Sequence, residues 1–453
     1  MKFTNDFIFG TATSAYQIEG AHLSGGRTQS IWDVFCDLPS KVYKNHNGAV
    51  ACDHYYRFEE DIQHIKNLGV DTYRFSIAWP RIFPEKGKFN AEGMNFYKTL
   101  TSRLLEEGIK PAVTLYHWDL PVWAHEEGGW ANRECVEWFA EYARVCFQEL
   151  DAQVDSWITH NEPWCAGFLG YHQGVHAPGH QNLDEALKAV HHILLSHGKA
   201  VKILKNELQS QTPIGITLNL SPVYAKTDSL NDRLAANNAD GYANRWFLDP
   251  VFKGQYPVDM MNLFSKYVHS YDFIKRGDME LTSIECDFFG INFYSRSLVE
   301  FNAAGDFMYQ GAYSDYKKTG MGWDISPREF KELIYRLRKE YTDLPIYITE
   351  NGAAFDDVVV EGRVHDSKRV EYVEQHLQAV SELNDEGMNI QGYYLWSLMD
   401  NFEWSFGYDK RFGVIYVDFD SQERIWKDSA YRYAEIIKSR SLKMPLGTAE
   451  NKI

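Results

Sequence analysis

Residues 346–352 read IYITENG and residues 157–163 read WITHNEP. Each is a β-rich run that ends in a Glu with an Asn beside it and then in a chain-breaking Gly352 or Pro163, the pattern of a buried strand carrying polar side chains to one end. Six more runs of this kind recur along the chain, at 7–13 (FIFGTAT), 71–78 (DTYRFSIA), 110–117 (KPAVTLYH), 213–220 (PIGITLNL), 287–294 (DFFGINFY) and 389–396 (NIQGYYLW). Between them lie segments of helical period, among them 95–107, 133–149, 183–206 and 366–386. In the last, Asp366 is placed to cap the start, Val370, Val373, Leu377, Val380 and Leu383 share one face, and Gly387 follows the end. Eight strands alternating with helices predict an α/β fold, a single (β/α)8 TIM barrel over 1–453. A doubly wound sheet would alternate in the same way, but here the strand ends carry Arg74, Trp79, His117, Trp118, Asn161, Glu162, Asn219, Asn292, Tyr294, Glu350, Asn351 and Trp396. In a barrel those carboxyl ends converge on one face, where barrel enzymes keep their active sites.

The chain has 453 residues, 63 acidic against 46 basic, for a net charge of −17. With no long Lys/Arg block to hold a phosphate backbone, nucleic acid is not expected as a partner. No run approaches the roughly 18 apolar residues of a membrane span and Met1–Gly10 does not read as a signal peptide, so no membrane association and a cytoplasmic location are expected. Six cysteines without a C-x-x-C pair read as reduced thiols in the core, not as a zinc site or a disulfide framework. No phosphate-binding glycine loop is present, so neither a metal nor a nucleotide cofactor is expected. His172-x-x-x-His176 has one-turn spacing, yet Gly174 interrupts it and Pro178 follows, which reads as a loop beside the active site. Nothing in the sequence reports the oligomeric state.

Glu162 and Glu350 would face each other across the barrel mouth from the fourth and seventh strands. A Glu at a strand end also serves to cap a helix or to pair with an Arg, but two opposed carboxylates satisfy a specific chemistry. Hydrolysing an acetal takes one carboxylic acid to protonate the leaving oxygen and a second carboxylate to meet the oxocarbenium-like centre. The 13 tryptophans, most of them packing residues, include candidates for stacking on sugar rings.

The residues now carry a resemblance that runs nearly end to end. FIFGTATSAYQIEG, SIWDVF, YRFSIAWPRIFP, LYHWDLP, THNEPW, INFYS, YITENG and WSLMDNFEW with GYDKRFGVIYVDF make the chain similar to glycoside hydrolase family 1, retaining β-glycosidases on a (β/α)8 barrel. The resemblance implies Glu162 as acid/base and Glu350 as nucleophile, with Arg74 and Tyr294 flanking the nucleophile and holding it ionised. It implies a sugar pocket of Gln17, His117, Asn161, Asn292, Glu403 and Trp404 with Trp396 as stacking floor, and Trp323 and Asn219 on the aglycone side. His160, before the Asn-Glu pair, departs from many members and should pack behind the site.

The substrates so implied are small β-glucosides or short β-linked oligosaccharides, with galactosyl or fucosyl groups also accepted. Members acting on 6-phosphosugars would carry Ser at position 403 and a Tyr at 412. Glu403 and Phe412 therefore disfavour a 6-phospho-β-glycosidase, with Lys410 the only cation placed nearby. A sugar-binding barrel without turnover is the remaining alternative, disfavoured by the presence of both carboxylates.

Overall fold

The structure, a computed structural model, describes residues 1–442; the remainder of the expected domain, 443–453, lies outside the described residues. All eight runs are strands: β1 (Ile8–Ala12), β2 (Thr72–Ser76), β3 (Lys110–Tyr116), β4 (Ser156–Asn161), β5 (Ile214–Asn219), β6 (Phe288–Asn292), β7 (Ile346–Asn351) and β8 (Ile390–Trp396). Each pairs in parallel with its neighbours in sequence, and β8 returns to β1 through Ile8–Gly392 to Ala12–Trp396 to close the barrel. Burial on both faces explains why these runs are largely apolar without a regular in–out alternation. Inside the barrel, Ala12 and Ala112 leave room for Tyr394 and Trp396. Gly10 belongs to the same fit, because a Cβ there would lie 2.4 Å from the Tyr394 ring.

Helices Ala91–Glu106, Cys135–Leu150, Leu183–Lys202 and Ser367–Asp385 occupy the four segments of helical period. The third continues from Ile203 to Glu207 as a wider π-helical turn. One expected detail is corrected. Asp366 stands at the helix start without capping it, because its carboxylate accepts instead from Arg369 and from the backbone and hydroxyl of Ser429.

That aspartate belongs to a buried ionic cluster. Asp357, Asp366 and Asp400 are interleaved with Arg369, Arg411 and Lys427, including Lys427–Asp400 at 2.6 Å and Arg411–Asp400 at 2.7 Å. The cluster ties the loops after β7 and β8 to the outer helices and so anchors the segment carrying Glu403. Breaking one partner of such a buried pair costs about 3–5 kcal/mol. Among the described residues no helix is long and apolar enough to cross a membrane, and all six cysteines carry free thiols.

Candidate active site

Irregular pairing falls on the two strands that carry the carboxylates. The register slips between Ile158 and Asn161 on β4 and between Ile348 and Glu350 on β7, and such bulges re-aim side chains at barrel rims. Pro163 then stops β4, and Glu162 itself adopts the left-handed region (φ 48°), as do Trp118 (φ 78°) and Trp404 (φ 49°). These conformations cost of order 1–3 kcal/mol each and persist where the surroundings over-determine them. At β7, Gly352 permits the close approach of β8, since a Cβ would lie 1.7 Å from the Trp396 carbonyl oxygen.

Both carboxylates are buried. Glu350 accepts from Arg74 Nη1 at 2.7 Å on Oε1 and from the Tyr294 hydroxyl at 2.6 Å on Oε2. Arg74 is held in turn by Asn161 Oδ1 at 2.7 Å, the Thr349 carbonyl at 3.0 Å and Thr114 at 3.2 Å. Glu162 has no ion pair among the described residues. Its Oε1 accepts from Asn292 Nδ2 at 2.6 Å and its Oε2 from the Cys165 thiol at 3.0 Å.

Burial pushes Glu350 above the usual carboxylate range, opposed by the Arg74 guanidinium and the hydrogen bonds from Tyr294, Arg74 and Asn292. Glu162 is pushed up to about 7, by burial first and by the Glu350 charge second. The cation contacts Glu350 and not Glu162, so the charged form of Glu350 is the better compensated of the two.

A cavity of about 390 Å³ opens onto both carboxylates. His117, Asn292, Tyr294, Trp396, Glu403 and Trp404 line it, and Trp323 and Asn219 also stand on its wall. His117 lies nearly parallel to Trp396 and Trp404, with ring centroids 6.0 and 5.9 Å away. Gln17 and Asn161 are buried beside the cavity, with their amides engaged by its neighbours. The Gln17 amide donates to Asn401 Oδ1 (3.0 Å) and the Phe402 carbonyl (2.9 Å), fixing the residues before Glu403. Asn161 is shared among Arg74, Asn292 and His117.

Two electrostatic expectations also change. Lys410 pairs with Asp409 and does not line the cavity, whereas Arg296, paired with Asp324 at 2.9 Å, does. Glu403 is pushed up to about 8 by burial and then by the Glu350 and Glu162 charges, so near neutral pH it is largely a carboxylic acid and not the fixed anion its sequence position suggested. Its Oε2 is buried without a partner, as are His117 Nδ1, His176 Nδ1 and Trp164 Nε1 on the same wall. A ligand rich in hydroxyls would satisfy such atoms.

Sequence reasoning missed Cys165, which it assigned to the core with the other cysteines, and also Trp164, Arg296, Met321 and Phe406. The available signal for Trp164 and Cys165 was proximity, because the turn begun by Pro163 brings its first residues back over Glu162. His160, by contrast, packs behind the site against Phe139 (ring centroids 4.4 Å) and bonds Ser196 at 2.8 Å. His176 stands on the wall beside the active site, and among the described residues no group of His, Cys, Asp and Glu could hold a metal.

A closed barrel whose cavity presents two buried carboxyl groups, one paired with an arginine and one not, and a wall of indoles defines a glycoside-cleaving enzyme. Comparison with known proteins makes this particular. The family model for "Glycosyl hydrolase family 1" matches residues 1–442, and the chain belongs to that family. A solved structure of the family 1 β-glucosidase from Exiguobacterium antarcticum B7 is 76% identical, with a TM-score of 0.97 over 97% of this chain and 99% of that one. "Beta-glucosidase A" of Acetivibrio thermocellus is 46% identical over 97% of this chain and 99% of its own length. A "Bifunctional beta-D-glucosidase/beta-D-fucosidase" of Bifidobacterium breve is 41% identical over 97% and 99%.

Proposed function

We propose that the protein is a retaining exo-β-glucosidase that releases terminal β-D-glucosyl groups, and fucosyl or galactosyl groups as well, from short β-linked oligosaccharides such as cellobiose and from aryl glucosides. The observation that carries this reading is the asymmetry of the pair: Glu350 is clamped on both oxygens by Arg74 and Tyr294, whereas Glu162 has no cation in contact and is pushed up to about 7. Glu162 protonates the departing oxygen while Glu350 attacks the anomeric carbon, forming a glycosyl ester. Glu162, now ionised, takes a proton from the water that hydrolyses the ester. Asn292, bonded to Glu162 and contributing to the stabilisation of Glu350, supports a separation small enough for direct attack. Gln17, His117, Asn161, Asn292, Glu403 and Trp404 receive the sugar's hydroxyls, with Trp396 as the stacking floor. Trp323 and Asn219 meet the aglycone. A cytosolic location suits the six free thiols, which that compartment keeps reduced.

A panel of p-nitrophenyl β-glycosides with and without a 6-phosphate tests the substrate class. The repulsion between Glu403 and a phosphate is weaker than its position alone implied, since the group is largely protonated. A phosphate dianion would still be buried beside the other acids, with Arg74 already engaged by Glu350 and Lys410 turned to Asp409. Stranding that charge costs several kcal/mol, so kcat/KM for the glucoside should exceed that for its 6-phosphate by about a hundredfold or more. The opposite ratio would make the protein a 6-phospho-β-glycosidase.

Coupling within the pair predicts a bell-shaped pH profile of kcat/KM, falling on the alkaline side as Glu162 loses its proton and on the acid side as Glu350 gains one. Because burial outranks the Glu350 charge in raising Glu162, Glu350→Gln should lower the Glu162 pKa without returning it to the ordinary range. Carboxyl titration by ¹³C NMR on both proteins measures this. An unmoved Glu162 would remove the partner's charge from the account.

A further inference from the structure

The catalytic reading leaves Cys165 without a task. Cys165 follows Glu162 by three residues on the turn that Pro163 begins, and its side chain is buried and lines the cavity. The thiol donates to Glu162 Oε2 at 3.0 Å while Asn292 donates to Oε1 at 2.6 Å, so a donor holds each edge of the carboxylate. The two donors differ in kind. An amide nitrogen only donates, whereas a sulfur can also turn its hydrogen away and accept weakly from a protonated carboxyl. Burial holds the Cys165 thiol well above its usual range, so it stays a thiol and a donor instead of becoming a second anion.

We propose that Cys165 is a positioning residue for Glu162, its thiol holding the Oε2 edge in both protonation states and steadying the ionised one. The proposal rests on the reading of Glu162 as acid/base. The groups facing Glu162 set the balance. The charges of Glu350 and, when ionised, Glu403 favour the proton, Arg74 opposes it, and Tyr294 is engaged with Glu350. The nearby His117 and His176 are held neutral by burial. Against burial and like charge, the hydrogen bonds from Asn292 and Cys165 favour the carboxylate.

Two pH limbs read the effect. The alkaline limb of kcat/KM for p-nitrophenyl β-glucoside reports Glu162 in the free enzyme. The acid limb of kcat for 2,4-dinitrophenyl β-glucoside, for which breakdown of the glycosyl ester limits turnover, reports it with Glu350 neutralised. Cys165→Ala should move both limbs up by about 0.5 pH unit, the increment of one modest hydrogen bond to the charged form. Cys165→Ser keeps an O–H donor and should return them to within about 0.2 unit of the wild type. Should the Ala variant not fold, Cys165→Val keeps the bulk without the donor and takes its place. Unmoved limbs, or equal displacement in the Ala and Ser variants, would overturn the proposal. Glu162→Ala separates the two levels of the argument. An alkaline limb surviving there removes Glu162 as the acid, whereas a limb lost there but unmoved by Cys165→Ala removes only the thiol's role.

Discussion

Glu350→Ala should lower kcat for p-nitrophenyl β-glucoside by about 10⁴-fold or more, the scale on which covalent catalysis is lost when its nucleophile is removed. The carboxylate is the atom group that forms the new bond. His117 is held neutral by burial, and Cys165 is held as a thiol against Glu162. The substitution also leaves Arg74 buried beside Asn161 without its anion, so Glu350→Gln, which keeps the bulk, should be made in parallel to separate lost chemistry from lost stability. Formate entering the vacated space would attack from the nucleophile's face and restore turnover with an inverted product. Steady-state rates on the purified variants, with circular dichroism to check folding, decide the matter. Activity within tenfold of the wild type would remove Glu350 as nucleophile.

Glu162→Ala should have an effect that depends on what departs. With cellobiose, whose leaving alcohol needs a proton, kcat/KM should fall by about 10³–10⁴-fold, the upper range for general-acid catalysis. With 2,4-dinitrophenyl β-glucoside the first step needs no acid, so the glycosyl ester should form at nearly the wild-type rate and then accumulate for want of a base. Azide, a nucleophile with no proton to lose, should relieve that block and yield β-glucosyl azide. A loss of equal size on both substrates would assign Glu162 to binding or folding and not to proton transfer.

The barrel was legible because each strand is largely apolar and ends in residues that a core would reject. FIFGTAT and NIQGYYLW, at opposite ends of the sequence, are the two strands that close it. Glu162 and Glu350 were legible because strand ends meet on one face. For Gln17 and Asn161 the motif identifies which amides matter but not the bonds that hold them, which come from residues far away in the chain. The state of Glu403 and the contact of Cys165 depend on burial and on the turn after Pro163, which no periodicity reports. The cluster around Asp400 and Lys427 escaped notice because its members lie in loops and outer helices separated by long stretches of chain.

The central claim is that Glu350 attacks the anomeric carbon directly and that water later takes its place from the same side. ¹H NMR of the first minutes of hydrolysis of an aryl β-glucoside tests it, before the released sugar mutarotates. The account predicts β-glucose as the first product, with the α anomer appearing only as mutarotation proceeds. α-Glucose appearing first would mean that water, not Glu350, attacks the substrate, and would contradict the mechanism assigned to this pair.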